Sequence, residues 1–361
     1  IGLSAAVSGV KFVTAYPMSP STATFAKLAK ISDRYGIVVE QAEDEIAAVN
    51  MICGAAYAGA MAMTTTSGGG FALMGEGVSL AGMMELPIVI MVAQRPGPAT
   101  GLPTRTAQED LNLVIFSGHG EFPKAVFAPG TQHQCYDITR QALAVAHKYQ
   151  TPVIILTDQY LQDAMKNIKP LNTDFNPVDR CLCDQDDENY RRYGVTKSGI
   201  SPRAIPGGKA LVVCDSDEHD ESGHITEDIE TRVRLQDKRM NKLFGLINET
   251  IEPEQYGDEE PDLMLVCWGS TYGAVRECVD LLREKGESAA MLHFSQVWPL
   301  NINNINPMLK IAGRVVVVEG NYTGQFARLL QCKGCDTILH RVNRYDGLPI
   351  TAEFLLSEVN K

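Results

Sequence analysis

Short apolar runs alternate with longer stretches of helical period over roughly the first 165 residues, the pattern of a parallel α/β sheet. Phe12 to Ala15 predicts a strand that ends at Tyr16-Pro17-Met18-Ser19-Pro20, where two prolines impose an extended loop. Ser21 or Thr22 is placed to cap the helix that follows, to about Tyr35. Next come a strand over 37–40, an Ala- and Gly-rich helix over 44–62, and a strand over 62–66 that breaks into Ser67-Gly68-Gly69-Gly70. A helix over 71–82 follows. The uninterrupted apolar run 87–94 predicts a central parallel strand. A strand over 126–128, a helix to Lys148 and a strand over 152–158 complete this unit.

Between 169 and 257 the periodicity fades, which predicts a connector laid over a domain surface with one charged helix over 231–247. Strands over 263–268, 288–293 and 314–319, a helix over 272–285 and a short terminal helix predict a second α/β unit. The expected domains are therefore 1–168, 169–257 and 258–361. Residues 1–10 read as the middle of a small-residue helix, so sequence upstream of Ile1 is expected.

Composition narrows the function classes. The net charge of −12 excludes the basic face of a nucleic-acid binder, and 45% hydrophobic residues allow a full core. No apolar run is long enough for a membrane span. Nine scattered cysteines, several inside apolar runs (Cys53, Cys214, Cys267), fit buried reduced thiols and a cytoplasmic location. The pairs Cys332/Cys335 and Cys181/Cys183 fall short of the four-ligand spacing of a zinc or iron–sulfur site.

Several residues carry candidate chemistry, each with a plain alternative. Glu45 opens the Ala/Gly-rich helix: it is either an acidic first-turn residue facing the helix dipole, or a carboxyl drawn into a buried interface as a proton partner. Arg95 follows the central apolar strand, at the sheet edge where α/β proteins bind ligands. It is a surface arginine or a bidentate carboxylate grip. Ser67-Gly68-Gly69-Gly70 is a tight turn, or a set of helix N-terminal amides for an anion. The segment from Asp215 to His224 has metal-ligand residue types but no metal-motif spacing, and is read as a solvated acidic loop.

Taken together, these segments resemble the alpha subunit of 2-oxoacid:ferredoxin oxidoreductases, most of all the 2-oxoglutarate type. The match runs in order through Tyr16 to Thr22, Gln41-Ala42-Glu43-Asp44-Glu45, Thr65 to Phe71, Gln94-Arg95-Pro96-Gly97-Pro98, Gly101-Leu102-Pro103-Thr104 and His119-Gly120-Glu121-Phe122-Pro123. It continues in Gly199-Ile200-Ser201-Pro202-Arg203, Ser216 to Glu221 and Glu319 to Gln325. The resemblance implies a pyrimidine-binding α/β domain of the thiamine-diphosphate type, a connector, and an α/β domain of the transketolase C-terminal type. It implies that Glu45 bonds the aminopyrimidine of thiamine diphosphate, with Pro17, Ser67 and Gly68 also at the cofactor. Ser19, a position where relatives often carry threonine, is implied to contact the 2-oxoacid and Arg95 its carboxylate. His119, Gly69 and Gly70 are near-site candidates.

The chain has no Gly-Asp-Gly motif and no four-cysteine cluster pattern. The resemblance therefore implies a beta subunit that holds Mg²⁺, the diphosphate and a [4Fe–4S] cluster, and a gamma domain, fused or separate. It also implies coenzyme A as co-substrate and ferredoxin as electron acceptor. Pyruvate or a branched-chain 2-oxoacid is the alternative substrate. A non-catalytic assembly or regulatory subunit is the alternative of another class.

Overall fold

The computed structural model describes residues 1–172 and 177–359. Its first half alternates α1 (Gly2–Val7), β1 (Phe12–Ala15), α2 (Thr22–Tyr35), β2 (Val38–Gln41), α3 (Glu45–Tyr57) and β3 (Ala62–Ser67). Then come α4 (Gly68–Leu73), α5 (Gly75–Met83), β4 (Ile88–Gln94), α6 (Leu111–Phe116), β5 (Ala125–Phe127), α7 (Gln132–Tyr149), β6 (Val153–Asp158) and α8 (Gln159–Asp163). The connector stretch ends in α9 (Ile229–Asn248) and β7 (Glu254–Gly257), and after it follow β8 (Leu263–Trp268), α10 (Tyr272–Glu284), β9 (Ala289–Phe294) and β10 (Gln296–Trp298). The last elements are α11 (Ile302–Lys310), β11 (Arg314–Glu319), α12 (Gln325–Cys332), β12 (Leu339–Asn343) and α13 (Ala352–Glu358).

Two sheets form. The first runs β10-β5-β6-β4-β3-β1-β2 and the second β12-β11-β8-β9-β7. Strands β1 to β6 are mutually parallel, and β10 returns from the second half to pair antiparallel with β5. The chain moves to one side of β1 to build β2, then crosses back to build β3 and β4 on the other. The boundary between β1 and β3 is therefore a topological switch point, where a crevice opens at the carboxyl ends. All seven residues of β4 are buried, as expected for a strand covered on both faces. One apolar core spans both sheets, from Ile52, Phe71 and Ile90 to Trp268, Phe294 and Phe326.

Local readings need four corrections. The Ser21 hydroxyl does not cap α2; it donates to the Met18 carbonyl and tightens the proline loop. The expected helix over 71–82 is two short helices meeting at Met74, and α3 stops at Tyr57, before Gly59 turns at positive φ. The unassigned stretch after Arg95 holds α6.

The acidic segment around Glu218 is not a solvated loop. Glu218 accepts from Nη2 and Nη1 of Arg239, at 2.7 and 3.0 Å, and pairs with Arg232, while His219 is fully buried against Tyr193. No group of three metal-ligating side chains forms among the described residues, and the nine cysteines are free. No described helix is long and apolar enough to cross a membrane.

Candidate active site

The switch-point crevice collects most of the candidate residues because four strands end side by side there. Ala15 of β1 lies in register with Gln41 of β2, and Ser67 of β3 with Ala93 of β4. The Pro17–Pro20 loop, the N-terminus of α3, the Ser67–Gly70 turn and Arg95 therefore leave the sheet at one edge. Across the crevice the buried Ser67 hydroxyl donates to Met18 Sδ at 2.6 Å. Arg95 Nη1 donates to the Ser19 carbonyl at 2.7 Å, which ties the substrate-side candidates to each other. Pro17 is half-buried in that loop and Ser19 is exposed.

Glu45 is the first residue of α3, with Asp44 as N-cap accepting from Ala47 N at 2.7 Å. Its side chain is nonetheless only 3% exposed, and Oε1 is buried without a hydrogen-bond partner. That orphaned oxygen faces Gly70: a Cβ added there would stand 2.6 Å from Glu45 Oε1 and collide with Thr66 Oγ1. A buried carboxyl oxygen with no partner costs free energy unless something else completes it. Gly70→Ala is expected to push Glu45 out of place and lower turnover of the assembled complex on the order of 10²-fold. Steady-state kinetics beside a melting curve checks this, since overpacking alone should cost only about 1–3 kcal/mol.

The sequence reading missed a second ring of residues. Gln94, the last residue of β4, accepts from Asp110 N at 2.9 Å, and Glu109 accepts from Gly97 N at 2.9 Å. These bonds hold the Arg95-Pro96-Gly97 loop. Asp110 stands at the N-cap of α6 without capping it, and its carboxyl lies against Gly68. Burial and the neighbouring Glu109 push Asp110 up to about 6, against the pull of Arg95. Asp110 thus fills the space beside Gly68 where an anion was one expectation.

The segment 108–112 is tied in turn to the second domain. Gln108 N donates to Gly320 O at 2.7 Å, Gln325 Nε2 to Glu109 O at 2.6 Å, and Asn112 N to Gln325 Oε1 at 2.8 Å. The Glu319-to-Gln325 motif is therefore a brace for the Arg95 loop. His119 sits elsewhere. Its backbone N–H donates to Ser79 Oγ at 2.8 Å, in a cleft it shares with Glu76, Glu121, Arg232 and Gln236.

Comparison with known proteins gives the family and the domain types. Residues 4–238 match the family of pyruvate flavodoxin/ferredoxin oxidoreductase thiamine-diphosphate-binding domains, and residues 255–345 match the transketolase C-terminal domain. The chain is 31% identical to the 2-oxoglutarate synthase subunit KorA of Archaeoglobus fulgidus, across 91% of this chain and 87% of that protein. The chain belongs to the 2-oxoacid:ferredoxin oxidoreductase alpha-subunit family.

Within this family it is 38% identical to subunit alpha of 2-oxoacid:ferredoxin oxidoreductase 1 of Sulfurisphaera tokodaii, over 96% of this chain. A solved 2-oxoglutarate:ferredoxin oxidoreductase from Magnetococcus marinus, with 2-oxoglutarate, coenzyme A and succinyl-CoA bound, superposes with a TM-score of 0.94 at 33% identity, over 99% of this chain. This chain spans 58% of the S. tokodaii subunit and 63% of the M. marinus chain. A split-gene transketolase at 13% identity and TM-score 0.55 shares the fold alone.

Proposed function

We propose that this chain supplies the pyrimidine half of a thiamine-diphosphate site in a complex that converts 2-oxoglutarate to succinyl-CoA while reducing ferredoxin, a reaction that can also run toward CO₂ fixation. The carrying observation is the buried, unpartnered Oε1 of Glu45 beside the space left by Gly70. A pyrimidine nitrogen placed there would satisfy it, so the residues present fit the cofactor. The M. marinus relative, solved with 2-oxoglutarate, coenzyme A and succinyl-CoA bound, supports the substrate choice.

When bound, thiamine diphosphate supplies a nucleophilic carbon and an electron sink for decarboxylation. The protein's own residues do the rest of the work on this side. Glu45 holds a proton at the pyrimidine ring from a position that excludes water. Arg95, steadied by the Ser19 carbonyl, binds the substrate's reacting carboxylate, and its hold weakens as that charge departs with CO₂. The Ser19 hydroxyl bonds the 2-oxo group. Pro17, Ser67 and Gly68 shape the wall at the cofactor.

A beta subunit brings the diphosphate- and Mg²⁺-binding motif and the [4Fe–4S] cluster, a gamma domain or subunit completes the assembly, and coenzyme A takes the acyl group. The location is the cytoplasm.

The test is turnover of 2-oxoglutarate against pyruvate by the purified complex. Preference for pyruvate overturns the substrate assignment and leaves the family untouched. In the same assay Arg95→Met is expected to lower kcat/KM about 10- to 100-fold, mostly through KM, and Arg95→Lys to recover only part of it. An unchanged KM in Arg95→Met removes the carboxylate grip from the proposal.

A further inference from the structure

The Gly199-to-Arg203 motif has no part in the site described above, yet it delivers a charge to the interior. Arg203 is 4% exposed and its backbone is fixed by Arg203 N to Cys181 O at 2.8 Å and Cys183 N to Arg203 O at 3.1 Å. One guanidinium nitrogen, Nη1, donates to Ala56 O near the carboxyl end of α3 at 3.1 Å. The opposite edge, Nε and Nη2, is buried and has no partner. That edge is the side-on fork with which arginine grips an oxyanion through two parallel bonds.

Neighbouring side chains are in the same condition. His147 of α7 is 1% exposed, and neither ring nitrogen has a partner. Arg180 spends Nη2 on Gly59 O and leaves its buried Nε unpartnered. Arg192 adds a further buried cation close by, with its own donors used on Gln150 Oε1 and the Glu85 and Met84 carbonyls. No carboxylate makes an ion pair with Arg180, Arg203 or His147 among the described residues.

The mutual repulsion is visible in their protonation. Burial, then Arg203 and Arg180, drives His147 down to about 3; burial, then Arg192 and Arg180, drives Arg203 down to about 10. Several buried donors around an uncompensated positive centre are costly as they stand.

We propose that Arg203, Arg180 and His147 hold a buried tetrahedral oxyanion of the sulfate or phosphate class, between the connector, α7 and the end of α3. The free fork of Arg203 takes two of its oxygens, and Arg180 Nε and a His147 N–H take the others. A halide would leave the fork's paired geometry unused. The anion fastens the connector, which has little regular structure of its own, to the helix whose other end carries Glu45. The site makes no use of substrate or cofactor, so it stands or falls apart from the proposed reaction.

The complex is purified and crystallised with selenate as the only oxyanion, and anomalous scattering is measured at the selenium edge. A selenate peak about 3 Å from Arg203 Nε and Nη2 and beside His147 is expected. A retained sulfur or phosphorus peak at that point, seen at long wavelength, supports the proposal equally. Only water there, or selenate confined to the surface, overturns it. In solution at fixed ionic strength, replacing chloride by selenate should raise the melting temperature of the wild-type complex by a few degrees and then saturate. Arg203→Lys, which keeps the charge but loses the fork, should abolish that saturable part. An equal rise in both proteins overturns the site. If the variant does not fold, the scattering measurement on the wild type still decides.

Discussion

Glu45→Gln in the assembled complex is expected to lower turnover by about 10²- to 10⁴-fold, with the melting temperature nearly unchanged. The two side chains share shape and volume, so the packing around 3% exposed Glu45 is preserved. What changes is the proton. A carboxyl group can hold one between its oxygen and a ring nitrogen and give it up; an amide cannot. The orphaned Oε1 gives this variant its diagnostic power, because no internal hydrogen bond is broken when the oxygen is exchanged for an amide. A fall in kcat without loss of the complex identifies a proton role. Wild-type turnover would mean that the chain assembles or regulates the complex without serving its chemistry, the alternative of another class.

The sequence made this residue visible for a physical reason and hid its surroundings for another. Strand β4 is seven consecutive buried residues, so its end at Gln94 and the position of Arg95 could be read from the apolar run alone. The Pro17–Pro20 loop and the Ser67–Gly70 turn announce themselves through residues with restricted or permissive backbones. Gln94, Glu109 and Asp110 carry no such mark. They act through long-range bonds, and the helix that Asp110 precedes is only six residues long, too short for a periodic signal. The three-residue strand β10 is hidden in the same way, since it pairs with β5 from the far half of the chain.

The charged helix α9 was legible as a helix and misleading as a surface. Leu235, Lys238, Arg239, Lys242 and Leu246 recur at helical spacing and are the buried stripe, so cations occupy positions where an apolar face is usual. No reading of one helix could show this, because the partner that makes it tolerable, Glu85, lies far away in sequence, just before β4.

That pairing gives the largest expected stability effect. Glu85 and the two lysines are each at most 1% exposed; Lys238 Nζ reaches both carboxylate oxygens at 2.8 Å, and Lys242 Nζ bonds Oε2 and the Gln150 carbonyl. Burial opposes the charge on Glu85, but Lys242, then Lys238 and Arg192, overcome it and hold the carboxyl well below the usual carboxylate range. Burial also pulls Lys242 down, to about 7, because the one carboxylate that opposes the shift is shared with Lys238 and Arg192.

Glu85→Gln would therefore leave two buried lysines without a counter-charge, each of which must stay an unpaired ammonium or give up its proton, and is expected to cost about 3–5 kcal/mol in unfolding at pH 7. Adding Lys242→Met should return part of the loss, since it removes one of the stranded charges. The pH dependence follows from the direction of the Glu85 shift. A carboxyl depressed by folding contributes stability that is fully present above its unfolded value, about 4.3, and is lost as pH falls through its folded value. The gap between wild type and Glu85→Gln should accordingly narrow on acidification below about pH 5, and narrow again as pH rises through about 7, where Lys242 sheds its proton in the folded wild type and no longer needs the counter-charge. Denaturant titrations of the assembled complex at a series of pH values measure this. A gap that does not narrow in acid would mean that Glu85 stabilises the helix by packing and not by charge.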